Sequence, residues 1–440
     1  MISAELIQQA ESRFAERQGP RQEREAKIRA GAILEADTPE RVRQRLQNVT
    51  RAIVETEGVG LPTAGPPAGP AVQVIERILG KNDLMSVRYF ELGLRVARSV
   101  GRIHVRTPKG SGFGTGFLVS PQLVLTNNHV LENASITGDS RVEFDFQEGA
   151  DGKLRTSIFM NFDPAAFFVT DKPLDFSLVA LKGDVRHLAK MGFNGLSAQE
   201  GKVIVGEYVS IIQHPSGERK QLALRENQIV DVLDDFLHYK TDTSPGSSGS
   251  PVFNDQWEVV ALHHSGIPRK DSSGRMLTRD GKVWTAAMGE HAIHWIANEG
   301  VRISRILKHV QGLTLSGAQA TLRKQLLDAE KGWRGDVSAK ELTGVLADEA
   351  QIGAGGTAWK LPLQLTIEVG QSGSGVQLSA VPMQAAAPVT RAEAAGNGQH
   401  AAAPAEGELA AWPAFDSAPG PAAPAAPPAR EESALEWLTL

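Results

Sequence analysis

The sequence predicts a mainly β protein with a helical amino-terminal region and a disordered carboxyl-terminal tail, on three observations. Between roughly residues 103 and 290, short β-prone runs follow one another: IHVRT, GFLVS, LVLTN, RVEFDF, SLVALK, YVSIIQ, LHYK and VVALHH. Gly, Pro, Asp and Asn separate them, which is the spacing of an all-β barrel or sandwich rather than of alternating strand and helix. Residues 1–57 read instead as helix. Beyond about residue 376 the composition collapses to Ala, Pro, Gly and a few charges, and such a segment buries too little apolar surface to offset the entropy of ordering it.

The first region, 1–57, breaks at Pro20 and restarts where Thr38 caps a helix with Pro39 and Glu40 in its first turn. Val42, Leu46, Val49 and Ile53 then form one apolar stripe. Arg41, Arg43, Arg45 and Arg51 read as an interspersed, solvated helix face rather than a nucleic-acid surface. A Pro/Gly linker, GVGLPTAGPPAGPA, occupies 58–71. The third region, 72–310, opens with a short helical stretch up to about residue 100, continues through the β-rich part, and closes in MGEHAIHWIANEGVRISRILKHV, which has helical periodicity. Region 311–375 contributes a helix at about 315–331 and a strand in WKLPLQLTIEV, and 376–440 is the tail. Its last residues, EESALEWLTL, are apolar after two acids and read as the sticky end of a tail in preference to a docking motif.

The chain has 440 residues, enough for two or three domains, with 46 Lys and Arg against 51 Asp and Glu. A formal net charge of -5 argues against a nucleic-acid backbone as main partner. The absence of cysteine excludes disulfides, thiolate metal sites and cysteine nucleophiles. There is no run of about 18 apolar residues and no apolar core of a secretory signal at the amino terminus, so no membrane partner and a cytoplasmic location are expected.

Acyl transfer needs a hydroxyl nucleophile, a base in reach of it, a carboxylate to orient the base, and donors for the developing oxyanion. The β-rich region offers each. His129 follows two β-prone runs in GTGFLVSPQLVLTNNHVL, Asp175 stands at the mouth of a strand in KPLDFSLVAL, and Ser248 lies in a Gly-rich turn before a strand in TDTSPGSSGSPVF. Gly246 and Gly249 permit the tight backbone that points successive amides at one place. Histidine, aspartate, serine is one of the known chain orders for this constellation.

These segments resemble the trypsin-like serine peptidases, and within them the branch of the bacterial glutamyl endopeptidases, over about residues 100–266. GTGFLVS with LTNNHVL is similar to the family's histidine segment, LDFSLVAL to its aspartate segment and GSSGSPVF to its serine segment. The resemblance implies a double six-stranded antiparallel β-barrel. It also implies Ser248 as nucleophile, His129 as proton acceptor and donor, Asp175 as the group orienting the imidazole, and the amides of Gly246 and Ser248 as the oxyanion hole. In that branch a Thr or Ser five positions before the nucleophile and a His on the following strand bind an acidic side chain. Thr243 and His263 match those positions, with His264, Ser265 and Gly266 continuing the pocket wall. A trypsin-type pocket would require an acid near Thr243 or Pro245, and Asp242 is one residue too early. Neighbours on a strand face opposite sides, so if His263 faces the pocket His264 faces Asp175. Here His264 replaces a residue that is smaller in digestive relatives.

The expected function is therefore a serine endopeptidase, with protein or peptide substrates, a preference for Glu or Asp on the acyl side, and no cofactor or metal. Its rivals are a protease-fold scaffold and an esterase with the same triad, and the helical flanks or tail would carry any regulatory partner. Other signals are weaker. GSGFGTG at 110–116 lacks phosphate-loop spacing and reads as a flexible approach to the first strand. His291 and His294 share a helix face without a metal pattern, Asp271 marks a turn, and residues 267–287 form a long connection that would cover the pocket.

Overall fold

Residues 100–181 alternate β-branched and aromatic side chains with glycine and turn residues, so their apolar faces bury best against one another. In the computed structural model, which describes residues 4–57, 85–108, 110–183, 191–224, 227–240, 246–332, 363–369 and 376–382, this stretch forms six antiparallel strands. They are β1 (Val100–Thr107), β2 (Gly110–Leu118), β3 (Leu123–Thr126), β4 (Arg141–Phe144), β5 (Ile158–Asp171) and β6 (Phe176–Leu181). Hydrogen bonding runs β1-β2-β3-β6-β5-β4 and returns from β4 to β1, closing a barrel and removing its edges. Ile103, Leu118, Val124, Val142, Phe144 and Phe162 fill part of it. GSGFGTG is not an approach to a strand but β2 itself. Two of its glycines are required by contact: a Cβ at Gly114 would meet Val130 at 2.7 Å, and one at Gly116 would meet Ile103 at 2.7 Å.

A second sheet holds seven strands in the order β8-β7-β11-β12-β13-β10-β9: β7 (Ser210–Gln213), β8 (Gln221–Ala223), β9 (Ile229–Val232), β10 (Phe236–Tyr239), β11 (Pro251–Phe253), β12 (Val259–Pro268) and β13 (Trp295–Arg302). The family resemblance implied a closed six-stranded barrel, whereas this sheet is a curled half-barrel. The segment leading into β7 also bonds the β9 region, from Gly206 N to Ile229 O and Val209 N to Asn227 O at 2.8 and 2.9 Å. Phe117, Leu125, Phe176, Phe253, Leu262 and Val301 belong to one apolar cluster spanning both sheets, whose seam is where the candidate site lies.

Residues 288–310, read as helical, divide differently. Residues 297–302 are buried without alternation because β13 runs between β12 and β10, and burial on both faces erases the pattern that separates strand from helix. Consequently His291 and His294 share no helix face. His291 is in a short 3-10 turn, and His294 precedes β13, its amide bonded to Leu277 O. The connection from 267 is partly ordered by bridges between Lys270 and Met276 and between Leu277 and Val283, with Asp271 accepting the amides of Ser273 and Arg275 in a turn.

Among the described residues four α-helices precede the barrel: α1 (Ala4–Glu16), α2 (Gln18–Arg29), α3 (Pro39–Glu57) and α4 (Arg88–Arg98). Ala10 of α1 packs with Ile267 and Ala297 of the second sheet. On α3, Val42, Leu46 and Val49 are buried as the stripe predicts. Arg45 is not on a solvated face: it is 1% exposed, and its Nε lies 2.9 and 3.0 Å from the Glu207 carboxylate. Arg41 pairs with Asp37, Arg43 keeps an exposed pairing with Glu40, and the Arg51 side chain lies outside the described residues. After β13 come α5 (Ile303–Gly312) and α6 (Gly317–Gly332). A hairpin of β14 (Leu363–Val369) and β15 (Val376–Pro382) places a strand where the tail was expected to begin. The linker 58–71, the tail beyond 382 and EESALEWLTL lie outside the described residues. No helix among the described residues is long and apolar enough to cross a membrane.

Candidate active site

His129 stands in the turn that follows β3, where the amides of Val130 and Leu131 both close onto Asn127 O. Asp175 immediately precedes β6 with φ of 42°, a left-handed conformation in which Asp is among the better tolerated residues. Asn127 holds that conformation, donating its side-chain amide to Asp175 O at 2.9 Å. The Asp175 carboxylate accepts twice from His129: Oδ1 from the backbone amide at 3.0 Å and Oδ2 from Nδ1 at 2.8 Å. Burial opposes the charge on Asp175, but His129 and then His264 outweigh it and hold the carboxyl well below its usual range. An ionised carboxylate only accepts, so the proton of His129 is on Nδ1 and its Nε2 carries the free lone pair.

Ser248 is nearly buried, in the loop before β11. Thr115 of β2 clamps this loop from the other barrel: its amide bonds Ser248 O at 2.8 Å and its hydroxyl bonds Gly246 O at 2.8 Å. Thr115 O in turn accepts the hydroxyl of Thr126, three residues before His129, so nucleophile loop and histidine turn share one strand junction. No hydrogen bond joins the Ser248 hydroxyl to His129 among the described residues. Gly246 and Gly249 have φ of 93° and 87°. A Cβ at Gly249 would come within 2.0 Å of Thr115 O, so side chains are excluded there. The amides of Gly249 and Ser250 are bonded to His263 O and Ser247 O, while those of Gly246 and Ser248 have no partner among the described residues.

On β12 the pairing with β13 shifts between His263 and Ser265, which oppose Gly300 and Glu299, leaving His264 as a bulge. The two imidazoles serve different surroundings. His263 is buried against Tyr239, its Nδ1 2.8 Å from the phenol oxygen. Burial lowers the pKa of His263 to about 3, with His264 and His129 acting in the same direction, and burial pushes the phenol well above its ordinary value. A buried phenol whose one hydrogen-bond partner is this ring must donate to it, so the proton of the neutral imidazole is on Nε2. His264 instead bridges two carboxylates, Nδ1 to Asp175 Oδ2 at 3.2 Å and Nε2 to Glu299 Oε1 at 2.8 Å. Burial alone would lower its pKa, but the bonds to Asp175 and Glu299 raise it to about 9. Farther along β12, Ser265 bonds Gly266 O, and the backbone at Gly266 lies so close to Trp295 that a Cβ would meet the ring at 2.5 Å. Thr243 lies outside the described residues, as do Asp242 and Pro245.

The sequence reading missed Thr115, Tyr239, Glu299 and Arg13. Thr115 and Tyr239 are ordinary strand residues whose roles arise from the opposite barrel and the neighbouring strand. Glu299 fell within an expected helix, and only the pairing of His264 with a buried acid could have pointed to it.

A closed antiparallel barrel and a curled second sheet, with a histidine, an ionised aspartate and a glycine-bounded serine loop at their seam, define a trypsin-like fold. Residues 114–262 match the family model described as "Trypsin-like peptidase domain". The chain is similar to the uncharacterised protein y4fB of Sinorhizobium fredii, 40% identical over 272 residues that cover 56% of this chain and 40% of that protein. It is also similar to the glutamyl endopeptidase of Staphylococcus aureus, 23% identical over 174 residues covering 38% of this chain and 50% of that enzyme. The chain thus spans half or less of the length of these relatives. Among solved structures, it resembles the Rv3671c protease of M. tuberculosis in its active form (16% identity, TM-score 0.34, covering 59% of this chain and 93% of that one). It also resembles a Glu endopeptidase in complex with MPD (17% identity, TM-score 0.33, 54% and 93% covered).

Proposed function

We propose that this chain is a serine endopeptidase that works through His129, Asp175 and Ser248. The observation that carries this is the double acceptance of His129 by one buried Asp175 carboxylate, which leaves Nε2 as a base beside a loop with two amides that have no partner among the described residues. Ser248 Oγ adds to the scissile carbonyl carbon as its proton passes to His129 Nε2, and the amides of Gly246 and Ser248 receive the charge on the carbonyl oxygen. The imidazolium returns the proton to the leaving amine as the C–N bond breaks. Water then hydrolyses the acyl-enzyme by the same transfers, releasing the acid and free Ser248. Residues 72–310 would form the catalytic domain, acting on protein or peptide substrates. Replacing Ser248 with Ala should abolish peptide cleavage and labelling by a serine-directed phosphonate without moving the thermal midpoint by more than a few degrees. Undiminished cleavage by that variant rejects the assignment, and labelling with cleavage of simple esters alone favours an esterase.

We further propose a preference for Glu or Asp on the acyl side. It is supported by the Nε2–H tautomer of His263, which makes a neutral buried imidazole a hydrogen-bond donor for a carboxylate, and by the likeness to glutamyl endopeptidases. Profiling against a peptide library tests it, and cleavage spread evenly over neutral and basic residues removes it.

A further inference from the structure

The charge that supports Asp175 does not end at His264. Glu299, fully buried on β13, receives His264 on Oε1 and His238 of β10 on Oε2 at 2.8 Å each. Arg13 of α1 closes this chain with a two-pronged contact, Nε to Oε2 at 2.9 Å and Nη2 to Oε1 at 2.5 Å. The same guanidinium lies 4.0 Å from the centre of the Phe236 ring, which is stacked at 5.4 Å on the imidazole of His264. A residue more than a hundred positions before the candidate nucleophile thus touches both the carboxylate and the aromatic wall that hold the neighbour of Asp175. We propose that Arg13 is a positioning residue for the triad, acting through Glu299 and His264 on Asp175, so that a docked amino-terminal helix is an intrinsic activator of this peptidase.

Charge balance gives the physical reason. Asp175 and Glu299 carry two negative charges, matched by protonated His264 and by Arg13, so the buried chain is neutral. Burial opposes ionisation of Glu299, yet Arg13, His238 and His264 together hold its carboxyl well below the usual range. The other charged or titratable groups around it are His129, neutral His263, Tyr239, and Asp231 of β9, which is paired with Arg17 and Arg24 of the helical region. Loss of Arg13 leaves one uncompensated negative charge facing His264 and, beyond it, Asp175 and His129. That charge acts through His264 and Asp175 to favour the protonated form of the His129 ring over the free base. Arg17, at the junction of α1 and α2, fastens the same helical region to Asp231, which has no hydrogen bond to Glu299, His264 or Asp175 among the described residues and keeps Arg24 as a second cation, so its loss weakens docking without removing the charge on Glu299.

The proposal rests on His129 as general base, and its test has one arm that needs no turnover. In the full chain carrying Ser248→Ala, NMR titration of the His129 ring should show its pKa raised by Arg13→Met by about one unit, the order expected for one buried charge a few side chains away at an effective dielectric of about 20. Arg13→Lys should restore it, and Arg17→Met should leave it in place. In the chain with Ser248 intact, the acid limb of kcat/KM should move to higher pH by the same amount in Arg13→Met, with kcat reduced and KM within about twofold. An unmoved His129 titration in Arg13→Met, or an equal shift in Arg17→Met, overturns the proposal. Absence of phosphonate labelling in the otherwise unaltered protein is a separate result that removes the peptidase assignment, while the titration still decides the role of Arg13.

Discussion

A one-residue bulge on β12 gives two consecutive histidines different protonation states within a single buried wall. His264, between Asp175 and Glu299, is held charged, while His263, against the Tyr239 phenol, is held neutral. The Tyr239 hydroxyl is then the group that fixes which nitrogen of His263 is a donor. In Tyr239→Phe the ring loses its tautomer restraint and a buried Nδ1 loses its partner, at a cost of about 1–3 kcal/mol. We expect kcat/KM for a substrate with Glu on the acyl side to fall about tenfold, within the range of one lost hydrogen bond, while a matched neutral substrate is cleaved as before. Equal losses on both substrates would place His263 outside the pocket.

At the scale of elements, the amino-terminal helices are fastened to the second sheet by buried charge as well as by apolar contact. Glu207 precedes β7 and is fully enclosed; burial raises its carboxyl pKa despite the opposing pull of Arg45. Such a pair contributes little beyond a well-packed apolar substitute, but removing one partner strands a charge. Arg45→Met is therefore expected to cost about 3–5 kcal/mol in urea unfolding, whereas Arg43→Met, two residues away on the exposed face, should stay within about 0.5 kcal/mol. A loss in Arg45→Met no larger than that in Arg43→Met, both within about 0.5 kcal/mol, would show that the buried pair does not fasten α3 to the second sheet. The helical periodicity of α3 is explicit in Val42, Leu46 and Val49. The burial of Arg45 beside them is not, because a charge on a helix acquires a partner only when another element supplies one.

For the molecule as a whole, the buried histidines shape stability against pH. His263 and His214 have folded pKa values of about 3, lowered first by burial, against about 6.5 in an unfolded chain. The unfolded state thus binds more protons than the folded one below pH 6.5, and both contributions are lost as pH falls. His264 is the reverse: with its folded pKa at about 9, its stabilisation is complete below pH 6.5 and declines as pH rises towards 9. Urea midpoints should peak near pH 6.5, falling more steeply on the acid side, where both of these histidines and then the lowered carboxyls of Asp175 and Glu299 act, than between pH 6.5 and 8, where His264 acts. In His263→Gln the acid slope should become shallower. A stability that climbs steadily from pH 6.5 to 8 would contradict the charged state of His264.

The sequence by itself determined the strand-rich middle and the helical start and singled out His129, Asp175 and Ser248 as candidates, because turn residues, apolar period and glycine requirements act over a few neighbouring positions. It also singled out Gly246 and Gly249 as permitting a tight backbone, and the structure gives both positive φ. Only the tertiary structure decided that residues 295–302 form a central strand, that β2 begins at Gly110, and that Arg13, Thr115, Tyr239 and Glu299 adjoin the site. Those facts depend on which strands lie side by side and on a bulge that changes where a ring points. They also depend on charges whose partners are up to 286 residues distant, and no local pattern encodes such a partner.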